Sequence, residues 1–149
     1  MLARLGPVGR IVSSPLGRCR RLAELIGVRR GLPVTVDPRW REMDFGRWEG
    51  RPWEAIPRAE IDAWATDLLH ARPHGGESVA MLRTRTRAVV EETLAAGVPC
   101  LAVTHAGVIR AARMAAGEAA WDREICFGEA VIFSSDGALA PQKRGIEFS

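Results

Sequence analysis

Along this chain, short apolar runs alternate with longer stretches in which apolar residues recur every three or four positions. Gly9-Arg10-Ile11-Val12-Ser13 reads as a short strand running into Ser14-Pro15, where serine suits a helix cap and proline its first turn. Leu16, Cys19, Leu22, Ala23 and Ile26 then recur at helical spacing, and Gly27 is expected to close that helix. Val34-Thr35-Val36 makes a second strand, while Arg39 to Gly50 mixes aromatics and charges without a period and predicts an ordered loop. From Trp53 to Leu69, the positions of Ile56, Ile61, Trp64 and Leu68 predict one or two short helices, ended by Pro73-His74-Gly75-Gly76.

A long amphipathic helix follows, with Val79, Leu82, Thr86, Val89 and Thr93 on one stripe and Gly97 past its end. The continuous run Cys100-Leu101-Ala102-Val103-Thr104 predicts a strand covered on both faces. His105-Ala106-Gly107 turns the chain into another helix, Val108 to Ala116, closed by Gly117. Ala130 to Phe133 and Gly145 to Phe148 read as further strands. Strands alternating with helices imply an α/β layered domain.

Composition agrees with one ordinary domain: 149 residues, 21 basic against 18 acidic side chains, 47% hydrophobic and 26% charged. Folding at this size hides roughly 68–70% of the extended chain's surface, so a core forms without disulfides or metal. Disorder, collagen-like repeats and coiled coil are excluded. No stretch reaches the roughly 18–20 apolar residues that span a bilayer, and the opening MLARLGPVGRIVSS lacks a signal-peptide core. A cytoplasmic protein is the expectation.

Cys19, Cys100 and Cys126 form no C-x-x-C pair and read as reduced thiols. Lys143 is the one lysine, so the remaining 20 of the 21 basic residues are arginine. That suits planar, bidentate holding of phosphate or carboxylate, although genome base composition produces the same bias. A modest net charge of +3 with interspersed signs, and no recognition motif, gives nucleic-acid binding weak support.

Two strand-turn-helix junctions stand out, Val12 to Arg18 and Val103 to Arg110. Ligands of open α/β sheets sit beyond the carboxyl ends of the strands. Arg18, in the first turn of a helix, adds positive charge to the positive end of the helix dipole, an arrangement an anion would reverse. It reads equally as a solvated arginine beside Arg20 and Arg21. His105 stands where a strand ends at a glycine-containing turn and can donate to a phosphoryl oxygen. The alternative is a ring satisfied by strand-end carbonyls.

His70 and His74 share i,i+4 spacing, but Pro73 between them breaks the helix that a metal pair would need. Glu42 lies in Trp40 to Gly50, an unusual mixture of bulky aromatics, charge and glycine; a carboxylate kept protonated by an adjacent anion donates to a leaving alkoxide. Asp44 and Glu49 compete for that role. Other phosphate chemistries fail on spacing. Leu25, Ala106 and Ile132 stand six residues after the cysteines where a cysteine-loop phosphatase needs arginine, no two aspartates lie two apart, and Lys143 follows Gln142 rather than a P-loop glycine.

SSPLGRCRRLAELIG, WREMDFGRWEG, PHGGES and VTHAGVIRAA, in this order and at these separations, resemble the histidine phosphatase superfamily of phosphoglycerate mutase-like enzymes, and most nearly its alpha-ribazole phosphatase branch in cobalamin biosynthesis. The resemblance implies a three-layer α/β/α sandwich and a phosphomonoesterase acting through a phosphohistidine. It assigns Arg18 to the phosphoryl group, Glu42 to the proton donor and His105 to stabilising the transferring phosphoryl. Glu77 and Ser78 match its GES element, and residues at about 51–76 its small helical, substrate-selecting cap within a single domain over residues 1–149. Trp48, Trp53 and Trp64 either fill the core beneath that cap or stack on a substrate ring.

The family's nucleophile lies in an Arg-His-Gly segment several tens of residues before the SSPL block. Here Met1 precedes Ser14 by thirteen positions, and the histidines are His70, His74 and His105. The expectation is a chain lacking the first strand and the nucleophile, inactive as it stands. The remaining readings are a non-catalytic phosphate-binding module and a fragment completed by another chain. A small phosphorylated metabolite is the expected partner, a homo-oligomer is compatible, and no cofactor, metal, nucleic acid or membrane is expected.

Overall fold

A computed structural model describes residues 6–118, 121 and 124–133. Strand β1 (Arg10–Ser13) lies between β2 (Val34–Val36) and β3 (Cys100–Val103), parallel to both. Ile11 pairs with Val34 on one side and Leu101 on the other, so the three strands share one register of inward and outward positions. Because side chains alternate along a strand, Ile11 and Val103 face helix α1 (Gly17–Arg30), packing with Cys19, Ala23 and Ile26. Val12 faces the other way, into a core with Trp40, Met43, Val79, Leu82, Val89, Val108 and Ala111. That second layer belongs to α3 (Val79–Ala95) and α4 (Ala106–Ala115). The result is a three-layer α/β/α arrangement, with a three-stranded sheet among the described residues.

Several expectations need correction. Ser14 does not cap α1: Leu16 occupies the cap position, without a side-chain bond, and Ser14 Oγ accepts from Leu16 N at 3.2 Å. Nor does Gly27 end that helix, which continues to Arg30 and closes on Gly31 at φ 65°. Gly27 instead packs: a Cβ there would lie 2.8 Å from the Leu32 carbonyl oxygen. Of the proposed stripe, Leu16 and Leu22 stay partly exposed. Strand β3 is less covered than its apolar run implied, with only Val103 buried. Ala130 makes one bridge and residues 131–133 no strand, while Gly145 to Phe148 lies outside the described residues.

The loop predicted over Arg39 to Gly50 carries two 3-10 turns, Pro38–Trp40 and Gly46–Trp48. A third, Trp53–Ala55, precedes α2 (Arg58–Thr66). Two glycines are dictated by a backbone crossing. Gly46, at φ 49°, and Gly76 lie where residues 44–46 pass residues 74–76, and a Cβ on either would strike backbone atoms of the other segment. Glu77 N donates to Asp44 O at 2.7 Å and Arg47 N to His74 O at 3.0 Å across this crossing. No helix among the described residues is long and apolar enough to cross a membrane.

Candidate active site

Neighbouring parallel strands bring their carboxyl ends together, and here each end turns directly into a helix. Ser13 pairs with Val103, and Ser14 N donates to Val103 O at 2.9 Å, so Ser14 and His105 become neighbours although 91 positions apart. His105 Nε2 lies 2.7 Å from Ser14 Oγ, and its Nδ1 lies 3.0 Å from Arg18 Nη2, in the first turn of α1. Cys19 Sγ donates to Thr104 O at 3.3 Å and rests against the same ring.

Glu42 reaches this junction from the loop. Its Oε2 accepts from Gly107 N at 3.4 Å and its Oε1 from Met43 N at 3.0 Å, setting a carboxylate at the positive end of α4. Gly107 leaves room for this carboxylate, which a Cβ there would displace. Two anchors hold the loop on the sheet, Thr104 Oγ1 donating to Trp40 O at 2.6 Å and Asp37 N to Ser13 O at 3.0 Å. Arg85 of α3 adds a third, donating to the carbonyls of Arg39 at 2.8 Å and Glu42 at 3.2 Å while paired with Glu77 at 2.7 Å.

Of the residues singled out in the sequence, Arg18 and His105 are in contact, and Glu42 reaches the same junction through Gly107 N. Glu77 is engaged by Arg85 and, at 3.4 Å, by Asp44 N, and Ser78 caps α3 by accepting from Met81 N at 3.2 Å. Trp48 is buried; its Nε1 donates to Glu60 Oε2 at 2.8 Å and its ring lies 4.9 Å from that of His74. Trp53 stays half exposed and stacks on Trp64 with an interplanar angle of 22°. His70 is exposed whereas His74 is buried with Nδ1 accepting from Gly76 N at 2.9 Å, and no group of three metal-ligating side chains converges among the described residues. Ser14, Cys19 and Arg85 escaped the sequence reading. Only the doubled serine at the strand end hinted at the first.

Burial, reinforced by the charges of Arg18 and Arg85, pushes the His105 imidazole down to about 4. It is neutral at pH 7. Burial also pushes the Cys19 thiol up, against the opposing pull of Arg18, so sulfur remains a thiol beside the ring. The site therefore presents the guanidinium of Arg18, with that of Arg85 behind it, a neutral imidazole and the Glu42 carboxyl group at the starts of α1 and α4. Such an arrangement can hold an oxyanion beside a carboxyl group.

The family model for the histidine phosphatase superfamily (branch 1) matches residues 2–128. Glucosyl-3-phosphoglycerate phosphatase of Mycobacterium tuberculosis is 37% identical over 119 residues, covering 68% of this chain and 51% of that protein. The solved structure of the mycobacterial glucosyl-3-phosphoglycerate phosphatase complexed with VO3 superposes with a TM-score of 0.65 at 35% identity, covering 73% of this chain and 58% of that one. The alpha-ribazole phosphatase of Shigella flexneri gives 0.61 at 30% identity, with 70% of this chain and 54% of that one covered. The chain thus spans about half the length of the curated relatives it matches, for example 51% and 50%.

Proposed function

The chain belongs to the histidine phosphatase superfamily, and from that premise we propose that Arg18, His105 and Glu42 form the phosphoryl site of a phosphomonoesterase acting on a small phosphorylated metabolite. One observation carries this reading: three side chains from three separate segments converge at the carboxyl ends of two adjacent parallel strands, with Arg18 and His105 3.0 Å apart. Arg18 supplies the positive charge, His105 lies against the same anion, and Glu42 stands where a leaving oxygen would take up a proton. Residues at about 51–76 act as the cap, tied to the Glu42 loop by the Trp48–Glu60 hydrogen bond.

Hydrolysis through a phosphohistidine needs a free attacking nitrogen. His70 is exposed, His74 is buried beneath Trp48 with Nδ1 engaged, and both nitrogens of His105 have partners. We therefore read these 149 residues on their own as binding phosphate without efficient turnover. Among the described residues β3 has β1 on one side and no strand on the other, an edge on which a further strand, of this polypeptide or of another chain, would pair. For the substrate, the alpha-ribazole phosphatase likeness supports alpha-ribazole 5'-phosphate, and the mycobacterial relatives support glucosyl-3-phosphoglycerate; parallel hydrolysis assays of a completed protein choose between them.

Calorimetry tests the core of the reading. Inorganic phosphate should bind the purified chain, and Arg18→Met should abolish the heat of binding while Arg21→Met, on the same helix, leaves it unchanged. Equal affinity in both variants would refute the assignment.

A further inference from the structure

The partners of His105 fix which nitrogen carries its proton. A guanidinium only donates, so Nδ1, 3.0 Å from Arg18 Nη2, is the bare nitrogen. The neutral ring then holds its hydrogen on Nε2 and donates it to Ser14 Oγ at 2.7 Å. Cys19 Sγ lies at nearly equal distances from the two ring nitrogens, 3.5 and 3.7 Å, which puts it over the ring face rather than in line with either lone pair. Ser14 is wholly buried, and its oxygen also accepts from Leu16 N at 3.2 Å. It is the in-plane partner of Nε2.

This arrangement suits an empty site and opposes a filled one. A phosphoryl oxygen drawn in by Arg18 meets the lone pair of Nδ1, acceptor against acceptor. A hydroxyl resolves the conflict because it can donate as well as accept. We infer that Ser14 is a positioning residue that exchanges the His105 tautomer when a phosphoryl group arrives, an inference that rests on the phosphoryl-binding reading above. The Nε2–H bond breaks and an Nδ1–H bond forms, water carrying the proton, with no net change in charge. The Ser14 hydroxyl turns to donate to Nε2, and Nδ1–H donates to the phosphoryl oxygen. Protonating both nitrogens instead would place a cation in a buried pocket already facing Arg18 from α1 and Arg85 from α3, with Glu42 as the opposing charge and Cys19 as a neutral neighbour.

Long-range 15N–1H correlation spectra of the imidazoles, recorded on the whole 149-residue chain at neutral pH, read the tautomer directly. His105→Gln identifies the His105 signals, and the His74 ring, whose Nδ1 accepts from Gly76, reports that each variant remains folded. Without phosphate, Nε2 should carry the proton; with saturating inorganic phosphate, Nδ1 should. Ser14→Ala should lose the exchange and weaken phosphate binding about tenfold, the scale of one buried hydrogen bond, and Ser14→Thr should restore both. Two protonated nitrogens in the loaded state, an unchanged ring with phosphate bound, or normal exchange in Ser14→Ala would each overturn the inference alone. A chain that binds no phosphate overturns the phosphoryl-site reading together with it.

Discussion

Lowering the pH should destabilise this fold through one buried ring. Between pH 6.5, the ordinary value for histidine, and about 4, the value of His105 in the folded chain, the unfolded polypeptide takes up a proton that the folded site refuses. Well above pH 6.5 the ring is neutral in both states and contributes no pH dependence. As pH falls, protons accumulate on the unfolded side, and stability drops until the folded ring is itself protonated. The whole interval corresponds to about 3 kcal/mol, of which about 2 kcal/mol has been lost by pH 5. That is a large part of the roughly 5–15 kcal/mol that holds a domain folded. Urea titrations at pH 8 and pH 5 on the native chain and on His105→Gln isolate the effect, because the lowered carboxyls of Asp37, Glu60 and Glu92 and the lowered His74 ring are common to both proteins. The native chain should lose about 2 kcal/mol more than the variant over that interval. Parallel losses would refute the burial of a neutral ring at this junction.

Two further predictions concern the framework around Glu42. Gly46→Ala combines a positive φ with a Cβ driven into the backbone at His74, and should cost about 3 kcal/mol in urea unfolding. Gly50→Ala, at φ 70° with open space, should cost only about 1 kcal/mol; equal losses would show that the backbone crossing does not matter. Arg85→Met strips the half-buried Glu77 of its cation and frees the Arg39 and Glu42 carbonyls, which should cost about 3 kcal/mol and weaken phosphate binding in calorimetry. Unchanged stability would mean that the Glu42 loop is held by Thr104 and Asp37 alone.

Much of the layered fold was legible because its signals are local. The apolar runs at Ile11–Val12 and Leu101–Val103, and the stripe Val79, Leu82, Thr86 and Val89, each state their own period within a few residues. Gly27 shows where local reasoning stops. A glycine near a helix end looks like a terminator, but here it is required by the approach of the Leu32 carbonyl, a neighbour that exists only once the chain has turned back. The apolar patterning of Ala130 to Phe133 predicts strand equally well, yet only Ala130 forms a bridge. Pairing depends on a neighbouring strand as well as on the sequence of the segment itself.

The same distinction governs the site. Arg18 and His105 could be singled out because a helix start and a strand end are local features, and Glu42 because its surroundings are unusual in composition. Ser14 and Arg85 could not. Ser14 matches the pattern of a helix cap, and only the pairing of β1 with β3 places its hydroxyl 2.7 Å from a ring 91 positions away. Arg85 stands eight positions after Glu77, outside the three- and four-residue spacings that bring helical side chains together, because Glu77 precedes α3 and the chain bends there. Its two carbonyl acceptors lie 46 and 43 positions away. The groups legible in the sequence are those that would touch a phosphoryl group, and the groups that aim them become visible only when the strands are paired. Mutational loss at Ser14 or Arg85 is therefore the sharper test of the geometry, since nothing but the three-dimensional arrangement gives either residue a reason to affect phosphate.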